Sequence, residues 1–204
     1  MKKFFSFAVV ALAAVSMFSF ASCKPAEKQI GLQLYSVNQD MGNVDASLAK
    51  VAKAGYTVVE TLRSPQCFGL PAEEFKALCD KHGLKIVSTH HSIGMDPEKE
   101  AEIMEQWKEV FKGLNVMGAK YCVIPSFKLG ETIEDLKAVC EYFNKVGTLA
   151  KEYGLKLGYH NHAGDFVEVE GELLLDYVLA HTDEDKMFLQ LDVHNMGGRD
   201  PMHY

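Results

Sequence analysis

Hydrophobic positions along this chain switch repeatedly between the spacing of a helix and that of a strand. Four glycines, Gly55, Gly83, Gly118 and Gly154, each follow a helix-like segment and lead into a short apolar run. The intervals between them are 28, 35 and 36 residues, which is the size of a strand–helix unit. Each glycine suits the left-handed position that ends a helix. The pattern therefore predicts a βα unit that recurs from Gln29 onward.

The segments between the apolar runs begin with helix-start signals and carry apolar residues at helical spacing. We predict helices that start at Asn43, Pro71, Asp96-Pro97 and Thr132, the last with Asp135 as capping-box partner, and a shorter helix from about 172 to 180. Strands are predicted near residues 30–36, 56–62, 85–91, 120–126, 156–162 and 187–193. This alternation favours one α/β domain with a parallel sheet covered by helices.

Polar residues stand at the carboxyl ends of five of the predicted strands. When the bulky apolar residues of a strand face the helices, the alternate residues face the other side of the sheet. The polar residues on this inner phase are Gln33, Tyr35, Glu60, His90, His160, His162, Gln190, Asp192 and His194. One buried histidine is more often a core residue than a ligand. Five coincident strand ends instead indicate an active site, since function collects at this end of parallel barrels.

Two imidazoles and a carboxylate at one end of a sheet suit a divalent metal of the Zn, Mn, Co or Fe kind. The candidates are His160, His162 and Asp192. A His-x-His pair on a strand also arises as two donors to a substrate, so the spacing alone leaves both interpretations open.

Five short motifs, in this order and at suitable intervals, resemble the xylose isomerase-like TIM-barrel family. They are Gly31-Leu-Gln-Leu-Tyr-Ser36, Gly55-Tyr-x-x-Val-Glu60, Gly83-Leu-Lys-Ile-Val-Ser-x-His90, Gly158-Tyr-His-Asn-His162 and Leu191-Asp192. This family contains sugar-phosphate isomerases and epimerases and related metal-dependent endonucleases. The resemblance implies a TIM-type (β/α) barrel over residues 30–204, with about six of the eight βα units present.

The resemblance also implies roles for individual residues. Family members hold one divalent metal, such as Mn, Zn, Co or Mg, with side chains from strands five to eight, typically Glu, Asp, His and Glu. Asp192 matches the sixth-strand ligand, and His160 stands where many members have the fifth-strand Glu. That departure puts epimerisation by paired glutamates in doubt but leaves metal-assisted enolisation open. The implied catalytic residues are Glu60, His90 and His162, and the implied substrate-binding residues are Gln33, Tyr35, Asn161 and His194.

Three functions follow as hypotheses for a protein with this resemblance. The first is a metal-dependent sugar isomerase or epimerase that acts through an enediolate. The second is a lyase or hydrolase of 3-keto-glycosides or other oxidised sugars. The third is a carbohydrate-binding lipoprotein without catalysis. All three have a small carbohydrate as partner, and the endonuclease function is the least favoured.

The first 29 residues predict export. Lys2 and Lys3 precede an apolar run over residues 4–20, and Ala21-Ser22-Cys23 follows, which is typical of a signal peptide over residues 1–22. Serines interrupt the run, which disfavours a transmembrane anchor. The ending resembles a bacterial lipoprotein box, so we expect lipid on Cys23, a tether over residues 23–29 and a location on the periplasmic side of a membrane. Secretion without lipid is the alternative.

The net charge limits the kinds of binding partner, and the cysteine spacing limits the kinds of cross-link or metal site. The formal net charge of −7 becomes more negative once Lys2 and Lys3 are removed, and an acidic body disfavours nucleic acid as a partner. The spacing of the other four cysteines matches neither a disulfide framework nor a zinc clip. We expect buried free thiols at Cys67, Cys79, Cys122 and Cys140.

The last residues carry a further helix-start signal, Asp200-Pro201, four residues before the end of the sequence. A complete barrel needs about 250 residues. We therefore expect a barrel that lacks its last two units, that is inactive alone, and that can self-associate through its open sheet edges.

Overall fold

The computed structural model describes residues 29–204, and six parallel strands form its main sheet. The strands are β1 (Gly31–Gln33), β2 (Val58–Leu62), β3 (Lys85–His90), β4 (Tyr121–Ile124), β5 (Lys156–His160) and β6 (Met187–Gln190). They are hydrogen-bonded in chain order, each to the next. This sequential parallel order is that of a TIM-type barrel, so the predicted α/β fold class is confirmed.

Five α-helices connect the strands. They are α1 (Val44–Lys53), α2 (Ala72–Lys81), α3 (Glu100–Met117), α4 (Ile133–Glu152) and α5 (Leu174–His181). The predicted start signals are confirmed at the first and fourth helices: Asn43 Oδ1 accepts from the Ala46 amide at 3.0 Å, and Thr132 and Asp135 form a reciprocal capping box. These side chains satisfy amides that the first helical turn leaves without a partner.

The sheet curls but does not close within residues 29–204, where β1 and β6 are its two edges. The curl is visible in a hydrogen bond of 2.9 Å from Gln190 at the end of β6 to Glu60 in the middle of β2. Inside the curve, the ring of Phe188 lies against the backbone of Gly158. A Cβ added to Gly158 would lie 2.6 Å from Cζ of that ring. Glycine at this position therefore makes room for an aromatic ring in the interior of the partial barrel.

The main core lies between the sheet and its helices. Large side chains that are fully buried there include Trp107, Phe111, Phe143, Leu157 and Tyr159. The prediction of buried free thiols is confirmed at Cys67, Cys79, Cys122 and Cys140. Burial raises the pKa of Cys67 and of Cys140 to about 11, so these thiols stay protonated and inert at neutral pH.

Several sequence-based boundaries are shifted, and the fourth, fifth and sixth strands end two or three residues earlier than predicted, at Ile124, His160 and Gln190. The first strand ends at Gln33 instead of residue 36, because the chain turns there into a 3₁₀ helix over Leu34–Asp40. The fifth helix starts at Leu174, because Glu172 and Leu173 belong to a short hairpin in which they pair with Val169 and Glu168. Asp200-Pro201 opens one 3₁₀ turn, Pro201–His203.

The predicted signal peptide (1–22), the lipidation site at Cys23 and most of the tether fall outside the described residues. Among residues 29–204, no helix combines the length and the apolar character that crossing a membrane requires.

A glycine in α3 lets the chain after β2 pack directly against that helix. A Cβ at Gly113 would lie 2.6 Å from Pro65 Cβ and 2.7 Å from Ser64 Oγ. Replacing glycine by alanine inside an exposed helix usually stabilises it by about 1 kcal/mol. We expect Gly113→Ala to do the opposite and to lower the free energy of unfolding by about 1–3 kcal/mol, because the site is already full.

Urea unfolding of the full-length protein would measure this change. Gly42→Ala is the matched control, since no atom lies within 4 Å of its added Cβ, and it should be neutral or slightly stabilising. Equal stability of the two variants would contradict the packing described for α3.

Candidate active site

The second and third strands bring a carboxylate and an imidazole together at the carboxyl end of the sheet. The pairing of β2 with β3 shifts by one residue after Val59, so Glu60 pairs with Ser88 instead of Val87. The shift places Ser88 and His90 on the same side as Glu60, as their contacts show. Ser88 Oγ donates to Glu60 Oε2, and His90 Nε2 lies 2.9 Å from Glu60 Oε1.

Glu60 is buried, with 8% of its surface exposed, yet its environment favours the ionised form. Burial raises the pKa of the carboxyl, but hydrogen bonds from His90, Ser88 and Gln190 outweigh burial and leave that pKa below its usual value. A carboxylate with several donors is stabilised as the anion even in the protein interior. Glu60 is therefore a fixed negative charge beside His90.

Gln190 joins this pair to the fifth strand. Its Nε2 donates to Glu60 Oε2 at 2.9 Å, while its Oε1 lies 2.8 Å from His90 Nε2 and 3.0 Å from His160 Nδ1. An ionised carboxylate can only accept hydrogen bonds, so the amide nitrogen of Gln190 must face Glu60. Both histidine nitrogens next to the amide oxygen must then carry protons. One amide thus sets the orientation of three ionisable side chains.

The same argument leaves the other nitrogen of His160 with a lone pair. Burial lowers the pKa of His160, and the neighbouring His90 and His162 rings lower it further, which favours the neutral ring at neutral pH. His160 Nε2 lies 3.5 Å from Asp192 Oδ2. A lone pair therefore faces a carboxylate oxygen across a short gap, an arrangement that a cation between them would stabilise.

This pair meets part of the requirements of a divalent metal. Two ligands about 2.1 Å from one ion with tetrahedral geometry lie about 3.4 Å apart, close to the separation of the two donor atoms. Among residues 29–204, however, no group of three or more His, Cys, Asp or Glu side chains is arranged to hold a metal ion. The described residues supply two ligands and do not complete a site.

Asn161, predicted to bind substrate, has another position. It is fully buried, and its side chain makes two hydrogen bonds to the backbone of Asp192, donating to the carbonyl at 3.1 Å and accepting from the amide at 2.7 Å. These contacts fix the end of β6 against the end of β5. Asn161 therefore positions Asp192, and its predicted role in substrate binding remains a prediction.

Four other predicted residues lie around the rim. Gln33 pairs with Glu60 in the sheet and has a buried Nε2 atom with no partner among the described residues. Tyr35 is 70% exposed in the 3₁₀ helix that replaces the end of the first strand. His162 and His194 are also exposed, and the His162 ring centroid lies 5.2 Å from that of His160. Their predicted roles remain predictions.

Sequence reasoning gave no role to three residues on which the site depends. Gln190 was placed on the inner phase without a function, and Ser88 appeared only inside a motif. Asp165 is the third: its Oδ2 accepts from the Tyr159 hydroxyl at 2.9 Å and from the His162 amide at 2.7 Å. Only the inner-phase position of Gln190 could have indicated its role.

A sequentially wound parallel sheet with an acid–base cluster at its carboxyl end defines the TIM-barrel class of α/β proteins. Within that class, the sequence profile described as the xylose isomerase-like TIM barrel matches residues 48–202. The chain belongs to the xylose isomerase-like TIM-barrel family.

Known proteins similar to this chain include an inosose dehydratase and sugar phosphate isomerase/epimerases. An inosose dehydratase from Clostridium perfringens (strain 13 / Type A) is 31% identical over 135 residues, which are 59% of this chain and 45% of that protein. The chain spans about half the length of the curated relatives it matches most extensively.

Two crystal structures of sugar phosphate isomerase/epimerase from Parabacteroides distasonis ATCC 8503 superpose on the chain with a TM-score of 0.80 each. The first is 28% identical to this chain, and the alignment covers 89% of this chain and 74% of that structure. The second is 31% identical, and its alignment covers 87% of this chain and 74% of that structure. Members of the family to which this chain belongs thus include sugar isomerases, epimerases and dehydratases.

The position of Asp192 depends on Asn161, which gives a stability prediction. Asn161→Ala should lower the free energy of unfolding by about 2–4 kcal/mol, since each buried polar group left without a partner costs about 1–3 kcal/mol. Denaturant unfolding of the full-length protein measures the change. Asn115→Ala, at an exposed position of α3, is the control and should stay within about 0.5 kcal/mol of the parent. A loss below 1 kcal/mol for Asn161→Ala would contradict the role assigned to its amide.

Proposed function

We propose that this protein is a sugar isomerase or epimerase that moves a proton at a carbon next to a carbonyl group. The observation that carries the proposal is the buried Glu60–His90 pair, which Gln190 links to His160 and Asp192. An imidazole fixed by a carboxylate is suited to proton transfer near neutral pH. The similarity to solved sugar phosphate isomerase/epimerase structures supports the same class of substrate.

In this proposal His90 transfers the proton. Glu60 fixes the His90 Nε2–H at 2.9 Å, and such a contact orients the ring and determines which of its nitrogens carries the proton. His90 Nδ1 has no hydrogen-bond partner among residues 29–204, so its lone pair is available to accept a proton. Both oxygens of Glu60 already accept hydrogen bonds, and this makes Glu60 a positioning residue and not the base.

His160 Nε2 and Asp192 Oδ2 would be two of the ligands of one divalent metal. When bound, the ion supplies positive charge next to the substrate oxygen on which negative charge develops. Gln190 keeps the lone pair of His160 aimed toward Asp192, because its amide oxygen accepts the Nδ1 proton of the ring.

The proposed reaction is balanced without an oxidant. The proton leaves the carbon beside the carbonyl for His90, the electrons of the broken C–H bond form the carbon–carbon double bond of an enediolate, and the carbonyl π electrons move to oxygen. Return of the proton to the former carbonyl carbon, together with transfer of the hydroxyl proton from the neighbouring oxygen to the former carbonyl oxygen, gives the isomer. Delivery of a solvent proton to the opposite face of the original carbon gives the epimer, and His90 then releases its proton to solvent.

Dehydration is the second candidate, and one observation favours it. The curated relatives that match this chain are named inosose dehydratases. The same enediolate expels a hydroxyl group from the next carbon. The hydroxyl group takes a proton from an acid such as His90 and departs as water. His160 in place of the fifth-strand Glu also fits this outcome better than epimerisation by two glutamates.

Solvent exchange tests the proton-transfer proposal. The full-length protein is incubated in deuterated water with glucose, fructose, their 6-phosphates and an inosose, and products are weighed by mass spectrometry. We expect deuterium in at least one sugar, and a rate that His90→Gln lowers by about 10²–10⁴-fold. A product lighter by one water would favour dehydration instead of isomerisation.

His82→Gln is the matched control, because His82 pairs with Asp45 on the helical surface and should exchange at the parent rate. Wild-type exchange by His90→Gln would overturn the role given to His90. Sugar binding without exchange or turnover for any probe would support the non-catalytic carbohydrate-binding alternative.

Calorimetric titration with Mn²⁺, Co²⁺ and Zn²⁺ tests the ligand pair. His160→Ala and Asp192→Asn should each weaken binding of the preferred ion at least about 10-fold, whereas His82→Ala should leave it unchanged. Circular dichroism at the same concentrations checks that each variant is folded. Unchanged affinity in a folded His160→Ala, Asp192→Asn double variant would show that the pair does not hold the metal.

A further inference from the structure

We propose that a cavity at the rim of the partial barrel, with Arg63 in its wall, binds the anionic group of an acidic or phosphorylated sugar. The inference rests on the proposed function, because it assigns one end of the substrate whose reacting end lies at His90. The shared chemistry of the ligand is a carboxylate or a phosphate on a sugar.

The cavity has a volume of about 430 Å³ and lies at the ends of β1 and β2. Its lining residues are Asn38, Leu62, Arg63, Gln66, Phe68 and Gly69. Leu62 pairs with His90 across the sheet and shares the strand phase of Glu60. Two residues along a strand correspond to about 7 Å, so a substrate held at the Glu60–His90 pair reaches the cavity.

Arg63 is the cation available for this role. The chain contains 21 basic residues, and its two arginines, Arg63 and Arg199, are both near the carboxyl end of the sheet. Arg199 is already used, since its guanidinium donates to the carbonyls of Met196 and Phe166 at 3.3 and 2.9 Å. Arg63 is exposed and makes no ion pair with any residue in the range 29–204.

The backbone of Arg63 has a conformation that favours glycine. Its φ is 57°, in the left-handed region that is costly for a residue with a Cβ. Two hydrogen bonds hold it there: the Arg63 amide donates to the His90 carbonyl at 2.9 Å, and the Arg63 carbonyl accepts from the Gln66 amide at 3.0 Å. The fold would tolerate glycine more easily, so the reason for an arginine lies in what its side chain can bind.

The recognition chemistry follows from the cavity wall. A guanidinium offers parallel N–H donors that match the oxygens of a carboxylate or a phosphate. The amide groups of Asn38 and Gln66 add neutral donors on the same wall. The whole protein carries a net charge of −7 and does not attract anions in general, so a local cation is required to hold one.

Binding of three matched probes tests the proposal. Glucose, glucuronate and glucose 6-phosphate are titrated calorimetrically into the full-length protein at low salt. We expect one of the two anionic probes to bind at least about 10-fold more tightly than glucose, and Arg63→Gly to remove that preference. Preference for glucuronate identifies a carboxylate site, and preference for glucose 6-phosphate identifies a phosphate site.

Two further variants keep the test decisive. Arg63→Asn tolerates the left-handed backbone and should lose the anion preference even if Arg63→Gly unfolds. Lys85→Gln removes the same charge at the opposite end of the sheet, where β3 begins, and should bind as the parent does. Arg63→Gly is also expected to melt at an equal or higher temperature than the parent, because the backbone strain is relieved.

Equal binding of all three probes to the parent protein, or full retention of the anion preference by both folded Arg63 variants, would overturn the proposal. The result is separable from that of the solvent-exchange experiment. Anion binding through Arg63 without exchange would leave the subsite intact and remove the proposed function. Exchange in an anionic sugar whose binding and exchange rate Arg63→Gly does not alter would leave the function intact and remove the subsite.

Discussion

The arrangement of the candidate site depends on one side-chain amide. Gln190 comes from the last described strand, yet it donates to Glu60 in the second strand and accepts from His90 and His160 in the third and fifth. A glutamate at this position would repel Glu60, and a leucine would leave a buried carboxylate with one donor fewer. Because an amide is both donor and acceptor, it holds an anion and two imidazoles in one network and fixes which nitrogen of each ring carries the proton.

At the carboxyl end of the sheet, some side chains are fixed by buried hydrogen bonds, and others around them are exposed. Asn161 ties the backbone of Asp192 to the fifth strand, and Asp165 does the same for the turn that follows His160. Tyr35, His162 and His194 lie outside this network and are exposed. The side chains of the network are thus held by buried hydrogen bonds, while the residues predicted to meet a substrate are left accessible.

Under the proposed function, the same hydrogen-bonded network would support more than one reaction outcome. Removal of a proton beside a carbonyl gives one enediolate, and isomerisation, epimerisation and loss of water differ only in what happens to it next. That choice depends on where the substrate is anchored relative to His90. Arg63 lies three residues after Glu60 in the chain and beside the end of His90's strand, so a charged anchor there would decide which substrate carbon meets the imidazole.

The sequence by itself determined the βα repeat, the helix starts at Asn43 and Thr132 and the buried thiols, because each follows from local spacing and burial. It also placed Glu60, His90, His160 and Gln190 on one side of the sheet, whereas Tyr35, His162 and His194 lie beyond the ends of the strands. It did not determine that the first strand stops at Gln33, that the register shifts after Val59, or that Asn161 bonds to the backbone of Asp192. These features arise from hydrogen bonds between residues far apart in the chain, up to 130 positions for Glu60 and Gln190. The spacing of residues along the chain does not predict such distant partners. Only the tertiary structure therefore decided which of the predicted polar residues are hydrogen-bonded to each other.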